Sequence, residues 1–226
     1  MGVFIYNRGY RFIINSMHLR FLFTHSEQER LAVFLPPKTG TMHATFIFNH
    51  FNFKTNIYGG EVTKLISEDD YFIHHHDKTI PKGYEDYDVI YTARNPYTRL
   101  ISMYYHDKRM SELEAPYTKT FKQYFSTRVN NGWFSINDGY NFVKPPKYII
   151  RMEHLYEDYI QMPFIRDSKL NKSGILYDLC NKKIHSKNQE TKPLKDYYTQ
   201  DMADHVYETL KPYFDLTGYD KDSWKL

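Results

Sequence analysis

Residues 31–48, LAVFLPPKTGTMHATFIF, constrain the fold more than any other stretch. Leu31 to Leu35 is a short aliphatic and aromatic run, the pattern of a strand buried on both faces, which points to a parallel sheet. Pro36 and Pro37 end that strand, because proline donates no ladder hydrogen bond. Gly40 opens backbone angles closed to other residues and lets a ligand approach the main chain. Thr39 or Thr41 is placed to cap the next helix, in which Ala44, Ile47, Phe48 and Phe51 recur at helical spacing to about residue 52. Strand, glycine turn and helix N-terminus together form an anion site, where free N–H groups and the positive end of the helix dipole converge. A Walker A loop carries its lysine after the last glycine. Here Lys38 precedes Gly40 and no glycine lies four or five residues upstream, so the loop is shorter, with Lys38 at its entry.

A second stretch, DVIYTARNPYTRLISMYY (88–105), repeats the arrangement. Val89 to Ala93 reads as a strand, with Arg94 at its end, where ligands bind in open α/β sheets. Asn95-Pro96 opens a helix on which Arg99, Ser102 and Tyr105 fall at helical spacing. A planar guanidinium grips phosphate in a bidentate fashion, and Ser102 adds a hydroxyl. Two strand ends therefore each offer an anion site.

PKTGT followed by RNPYTRLISMY resembles the sulfotransferases that use 3′-phosphoadenosine 5′-phosphosulfate (PAPS). Pro37, Lys38, Gly40 and Thr41 match that family's 5′-phosphosulfate loop, and Arg94, Asn95, Pro96, Arg99, Ser102 and Tyr104 match its 3′-phosphate motif. YIIRMEHLYED (148–158) and the segment from HSKNQE to GYD resemble the closing parts of the membrane-type carbohydrate branch, so the likeness spans about residues 31–220. The resemblance implies a P-loop-like α/β fold with a central parallel sheet flanked by helices. It implies PAPS as donor, with PAP as product, and a hydroxyl-bearing acceptor, carbohydrate in type. It places Pro37, Lys38, Thr39, Gly40, Thr41 and Met42 around the 5′ end, and Arg94 and Ser102 at the 3′-phosphate. Lys38 stands beside the leaving oxygen.

Sulfuryl transfer also needs a base for the acceptor proton. His74, His75 and His76 lie at an expected strand end, with His74 and His76 on one face. By resemblance His76 is the first choice and His74 the second, with Glu61 in reserve. No metal is implied by the chemistry. His43 touches substrate or caps the turn, and Arg99 binds the ligand or braces its helix. Glu153 reads as a salt-bridge partner, Lys192 and Lys195 as surface charge or cofactor contacts, and Trp133 as core or a sugar platform.

A length of 226 residues suits one α/β domain, here 1–226, with an N-terminal extension (1–30, a possible hairpin around Gly9) before a motif-bearing core (31–220). The net charge of +3 suits an anionic ligand and is too small for nucleic acid. One cysteine, Cys180, allows no intrachain disulfide, so a stapled secreted scaffold is excluded; the thiol reads as a buried apolar group. The N-terminal apolar patches are broken by Asn7, Arg8, Arg11, His18 and Arg20 and form neither a bilayer span nor a signal peptide. This fits a soluble, cytoplasmic, bacterial or viral enzyme without a membrane partner.

Strands are expected at 31–35, 56–58, 71–75, 88–93 and 147–151, and helices at 41–52, 97–108, 117–128, 154–161 and 199–213. Residues 109–146 are expected to shape the acceptor pocket and 162–196 to form loops over the cofactor. Two competing functions remain open: a P-loop-like phosphotransferase, which wants the missing upstream glycine, and a nucleotide- or glycan-binding module that has lost catalysis.

Overall fold

The computed structural model describes residues 3–7, 10–14, 21–36, 38–58, 83–111, 118–130, 145–181 and 192–226. Two short strands, β1 (Val3–Asn7) and β2 (Tyr10–Ile14), pair antiparallel as the expected hairpin. The central sheet has five strands in the order β5-β3-β4-β6-β7: β3 (Phe21–Ser26), β4 (Leu31–Phe34), β5 (Lys54–Tyr58), β6 (Asp88–Ala93) and β7 (Tyr148–Arg151). β4, β6 and β7 run parallel, as their apolar runs predict.

The sheet is mixed rather than wholly parallel, because β3 pairs antiparallel with both β4 and β5. The central sheet thus begins at Phe21, inside the segment read as an N-terminal extension. A tight turn over Glu27–Arg30 makes the pairing possible: the Ser26 hydroxyl accepts the Glu29 N–H at 3.2 Å, and Arg30 takes a left-handed φ of 51°. The expected strand at 71–75 lies outside the described residues.

Side-chain alternation along the strands divides the core into two layers. Tyr91 and Ala93 face a layer completed by α2 (Pro96–Ser111), α3 (Phe121–Asn130) and α8 (Gln200–Thr217). Leu31, Val33, Ile90 and Ile150 face the opposite layer, with α1 (Thr41–Asn49) and α4 (Leu155–Tyr159). Residues 163–181 form three short helices, α5 (Pro163–Arg166), α6 (Lys169–Lys172) and α7 (Ile175–Asn181), where loops over the cofactor were expected. Fully buried Met162, Ile165 and Leu176 hold them on the second layer. Residues 182–191 lie outside the described residues.

The last helix runs past its expected end at 213 to Thr217, kinking at Leu210 because Pro212 cannot fit an unbroken helix. Burial of Tyr213, Phe214 and Thr217 carries it beyond the proline. No helix among the described residues is long and apolar enough to cross a membrane.

Candidate functional site

The site sits at the C-terminal ends of neighbouring parallel strands β4 and β6, where a crevice opens in an α/β sheet. After β4 the chain turns sharply. Lys38 and Gly40 both take left-handed φ values, 65° and 83°. Thr39 shapes this turn. It is fully buried, donates its N–H to the Pro36 carbonyl at 3.3 Å and its hydroxyl to the same oxygen at 2.7 Å, and meets the Thr92 hydroxyl at 2.7 Å. Its side chain faces the sheet, not the crevice.

The N-cap of α1 is Gly40, without any side-chain cap, where Thr39 or Thr41 was expected. The first helical bond runs from the Ala44 N–H to the Gly40 carbonyl at 2.9 Å. The N–H groups of Thr41, Met42 and His43 therefore precede the ladder, and no acidic residue stands in that turn. Gly40 suits the turn by its φ of 83°, and the Met152 thioether packs against it, so that a Cβ there, 1.8 Å from the Met152 sulfur, would displace that side chain. Met152 follows β7 and backs the loop, so three parallel strands contribute to one cradle.

Arg94, just after β6, is tied to this loop. Its Nη1 donates to the Lys38 carbonyl at 3.4 Å and its Nε to the Thr98 hydroxyl at 3.1 Å. Tyr213 of α8 clamps its backbone, accepting the Arg94 N–H at 2.9 Å and donating to its carbonyl at 2.8 Å. Asn95 caps α2 through a 3.0 Å bond from the Tyr97 N–H. Glu153 was expected to form a salt bridge. It accepts hydrogen bonds instead, from the Asn95 N–H at 3.3 Å, the Thr98 hydroxyl at 2.9 Å and the Tyr219 hydroxyl at 2.6 Å. Burial lowers the Arg94 pKa and the Glu153 carboxylate opposes that shift.

Burial, then the charge of Arg109, lowers the Lys38 ammonium to about 8; Asp107 pulls the other way and Arg94 adds to the lowering. Burial and then Lys38 push His106 down to about 4, so its imidazole is neutral near pH 7. The charges of Asp107 and Arg109 on α2 thus act on Lys38, and Lys38 acts on His106, a coupling that the sequence motifs do not signal. Ser102 is half-buried on the same helix.

His43 does not cap the turn. It is buried, and its Nε2 lies 3.2 Å from the Leu179 carbonyl of α7. Arg99 is buried on α2. Tyr104 is core, its hydroxyl donating to the Lys119 carbonyl at 3.0 Å. Burial pushes the Cys180 thiol up to about 12, which makes it inert. Lys192 and Lys195 are exposed. Pro37, Glu61, His74, His76 and Trp133 lie outside the described residues, and the side chain of Met42 is likewise not described. Met152, Tyr213 and Tyr219 were missed by sequence reasoning; only the YFDLTGY run of the last helix hinted at the tyrosines.

The fold is an α/β sheet with two basic residues, Lys38 and Arg94, just beyond the ends of the neighbouring parallel strands β4 and β6. The sulfotransferase domain family matches residues 28–164, more than half of the 226 residues, and the chain belongs to that family. Its fold is the family's P-loop-like α/β fold, and its chemistry is sulfuryl transfer to hydroxyl-bearing acceptors. Neither the curated proteins nor the solved structures gave a match.

Proposed function

We propose that the donor is PAPS and that the acceptor is a carbohydrate hydroxyl. The observation that supports the donor assignment is the contact between the two motifs, the Arg94 guanidinium 3.4 Å from the Lys38 backbone carbonyl. The residues fit such a donor: an uncapped helix N-terminus without acidic side chains, a glycine cradle, and a guanidinium held at its rim.

When bound, the donor supplies a sulfuryl group whose bond to the phosphate oxygen breaks as a bond to the acceptor oxygen forms and the acceptor proton leaves. Lys38 offers a cation to the oxygen that gains charge. Gly40, Thr41 and Met42 offer backbone N–H groups to the 5′ end, while Thr39 shapes the loop. Arg94 and Ser102 hold the 3′-phosphate. Fixing both ends of one molecule supplies the in-line geometry. His76, or else His74, takes the acceptor proton in this reading. The carbohydrate preference is supported by the likeness of the C-terminal segments.

Thermal stability with PAP, 5′-AMP and Mg-ATP tests the donor. A ligand that binds only the folded protein stabilises it by about 2.7 kcal/mol at a hundredfold excess over its Kd. The expected result is a rise in Tm that requires the 3′-phosphate. A rise with Mg-ATP alone would favour the phosphotransferase, and no rise with any of them would overturn the donor assignment.

A further inference from the structure

We propose that Thr98 and Glu153, braced by Tyr219, are positioning residues that aim the Arg94 guanidinium at the 3′-phosphate of the donor, a role that rests on the donor assignment above.

Two arginines close parallel strands of the sheet, and their partners differ. Arg151, the last residue of β7, spends its guanidinium on Asp158: Nε donates to one carboxylate oxygen at 2.9 Å and Nη2 to the other at 2.7 Å. A guanidinium paired in this bidentate way has that edge closed to a ligand. Arg94, just after β6, donates directly to no carboxylate among the described residues. Its Nε donates to the Thr98 hydroxyl at 3.1 Å and its Nη1 to the Lys38 carbonyl at 3.4 Å. Its Nη2 donates to no described residue.

The carboxylate stands one hydroxyl further on. Thr98 Oγ1 is 2.9 Å from Glu153 Oε1 and 3.0 Å from the Asn95 carbonyl, and the charged oxygen is the stronger acceptor. The Tyr219 hydroxyl donates to Glu153 Oε2 at 2.6 Å, and the Asn95 N–H lies 3.3 Å from both oxygens. An exposed carboxylate ordinarily takes water or a cation. Glu153 is exposed, yet it takes three uncharged donors and makes no ion pair with a described residue. The bonds run in one direction, from Arg94 to Thr98 to Glu153, so the carboxylate polarises the hydroxyl that holds Nε. With Thr98 interposed, the guanidinium is oriented without being consumed. The Tyr219 ring stacks on Tyr213, with centroids 6.4 Å apart and 16° between planes, and Tyr213 clamps the Arg94 backbone. One aromatic pair at the end of α8 thus braces both the backbone and the side-chain orientation of Arg94. A guanidinium held in advance loses less freedom when an oxyanion docks.

The test is calorimetric titration of the full chain with PAP and with 5′-AMP, which lacks the 3′-phosphate. The readout is the ratio of the two Kd values, because a residue that only supports the fold would weaken both nucleotides alike. Thr98→Val keeps the side-chain shape and removes the hydroxyl. It is expected to weaken PAP about fivefold or more while leaving 5′-AMP within about twofold. Thr98→Ser restores the ratio, and Tyr219→Phe shifts it in the same direction as Thr98→Val. Should Thr98→Val not fold, Tyr219→Phe decides. An unchanged ratio, equal weakening of both nucleotides, or no rescue by Thr98→Ser would overturn the inference. Failure of PAP to bind the parent chain would remove the donor assignment and this inference with it. PAP binding that ignores Thr98 and Tyr219 would remove only this inference.

Discussion

Lys38 sets stability against chemistry within a single residue. Its left-handed backbone, at φ 65°, costs a non-glycine residue roughly 1 kcal/mol. Its half-buried ammonium also sits among other cations. Lys38→Gly is therefore expected to raise the stability of the unliganded protein by about 1 kcal/mol in denaturant melts while abolishing transfer. A variant that loses both stability and turnover would show the loop to be unstrained. The pH dependence has two signs. The Lys38 pKa falls from 10.5 to about 8 on folding, so the folded chain binds fewer protons across that window. Stability gains a contribution there as pH rises. Affinity for PAP should move the other way, weakening as pH rises through 8 and the free ammonium is lost. Calorimetric Kd values at pH 6.5 and 9.5 check this, and Lys38→Met should flatten the difference.

Among the elements, the junctions between them do most to build the crevice. Gly40 joins β4 to α1 under the Met152 side chain. Gly40→Ala imposes a left-handed φ on alanine, costing roughly 1–2 kcal/mol, and forces Met152 aside as well. Met152→Ala in the same chain should restore only the steric share, which thermal melts of both variants and the double mutant would separate. If Gly40→Ala melts like the parent, the close contact with Met152 does not constrain the loop. Tyr213 makes the second junction, fixing both backbone groups of Arg94 from α8. Tyr213→Phe leaves those groups without their partner at a buried position and should cost about 1–3 kcal/mol. PAP affinity should fall with it, because Arg94 loses its anchor. Unchanged affinity would assign Tyr213 to the core alone.

At the scale of the whole molecule, the sulfotransferase match at 28–164 describes less than a folding unit. It omits all of β3, which pairs with β4 and β5. It also omits α8, whose Met202, Ala203, Val206, Leu210 and Phe214 share a layer with Tyr97 and Leu100 of α2. A fragment of residues 28–164 is expected to lack cooperative unfolding in circular dichroism, whereas the full chain melts in one transition. A sharp melt of the fragment would show that α8 is dispensable to the core.

The parallel strands, the two helices that follow them and the residues Lys38, Gly40, Arg94 and Ser102 were all legible in the sequence. Each depends on local chemistry: an apolar run, a proline stop, a glycine turn, a basic residue at a strand end. The antiparallel β3 was not legible, since FLFTHS becomes a sheet strand only by pairing with chain further along. The three helices at 163–181 were missed for a like reason, since burial of Ile165 and Leu176 against the second layer decides them over loops. Gly40 rather than a threonine became the helix cap because Thr39 turned its hydroxyl to Pro36 and Thr92. Local chain chemistry placed Lys38 and Arg94 at the two strand ends. What holds them was settled by tertiary packing: Met152 on Gly40 and Tyr213 on Arg94. Those partners come from strands and helices distant in the chain, and only packing brings them within reach.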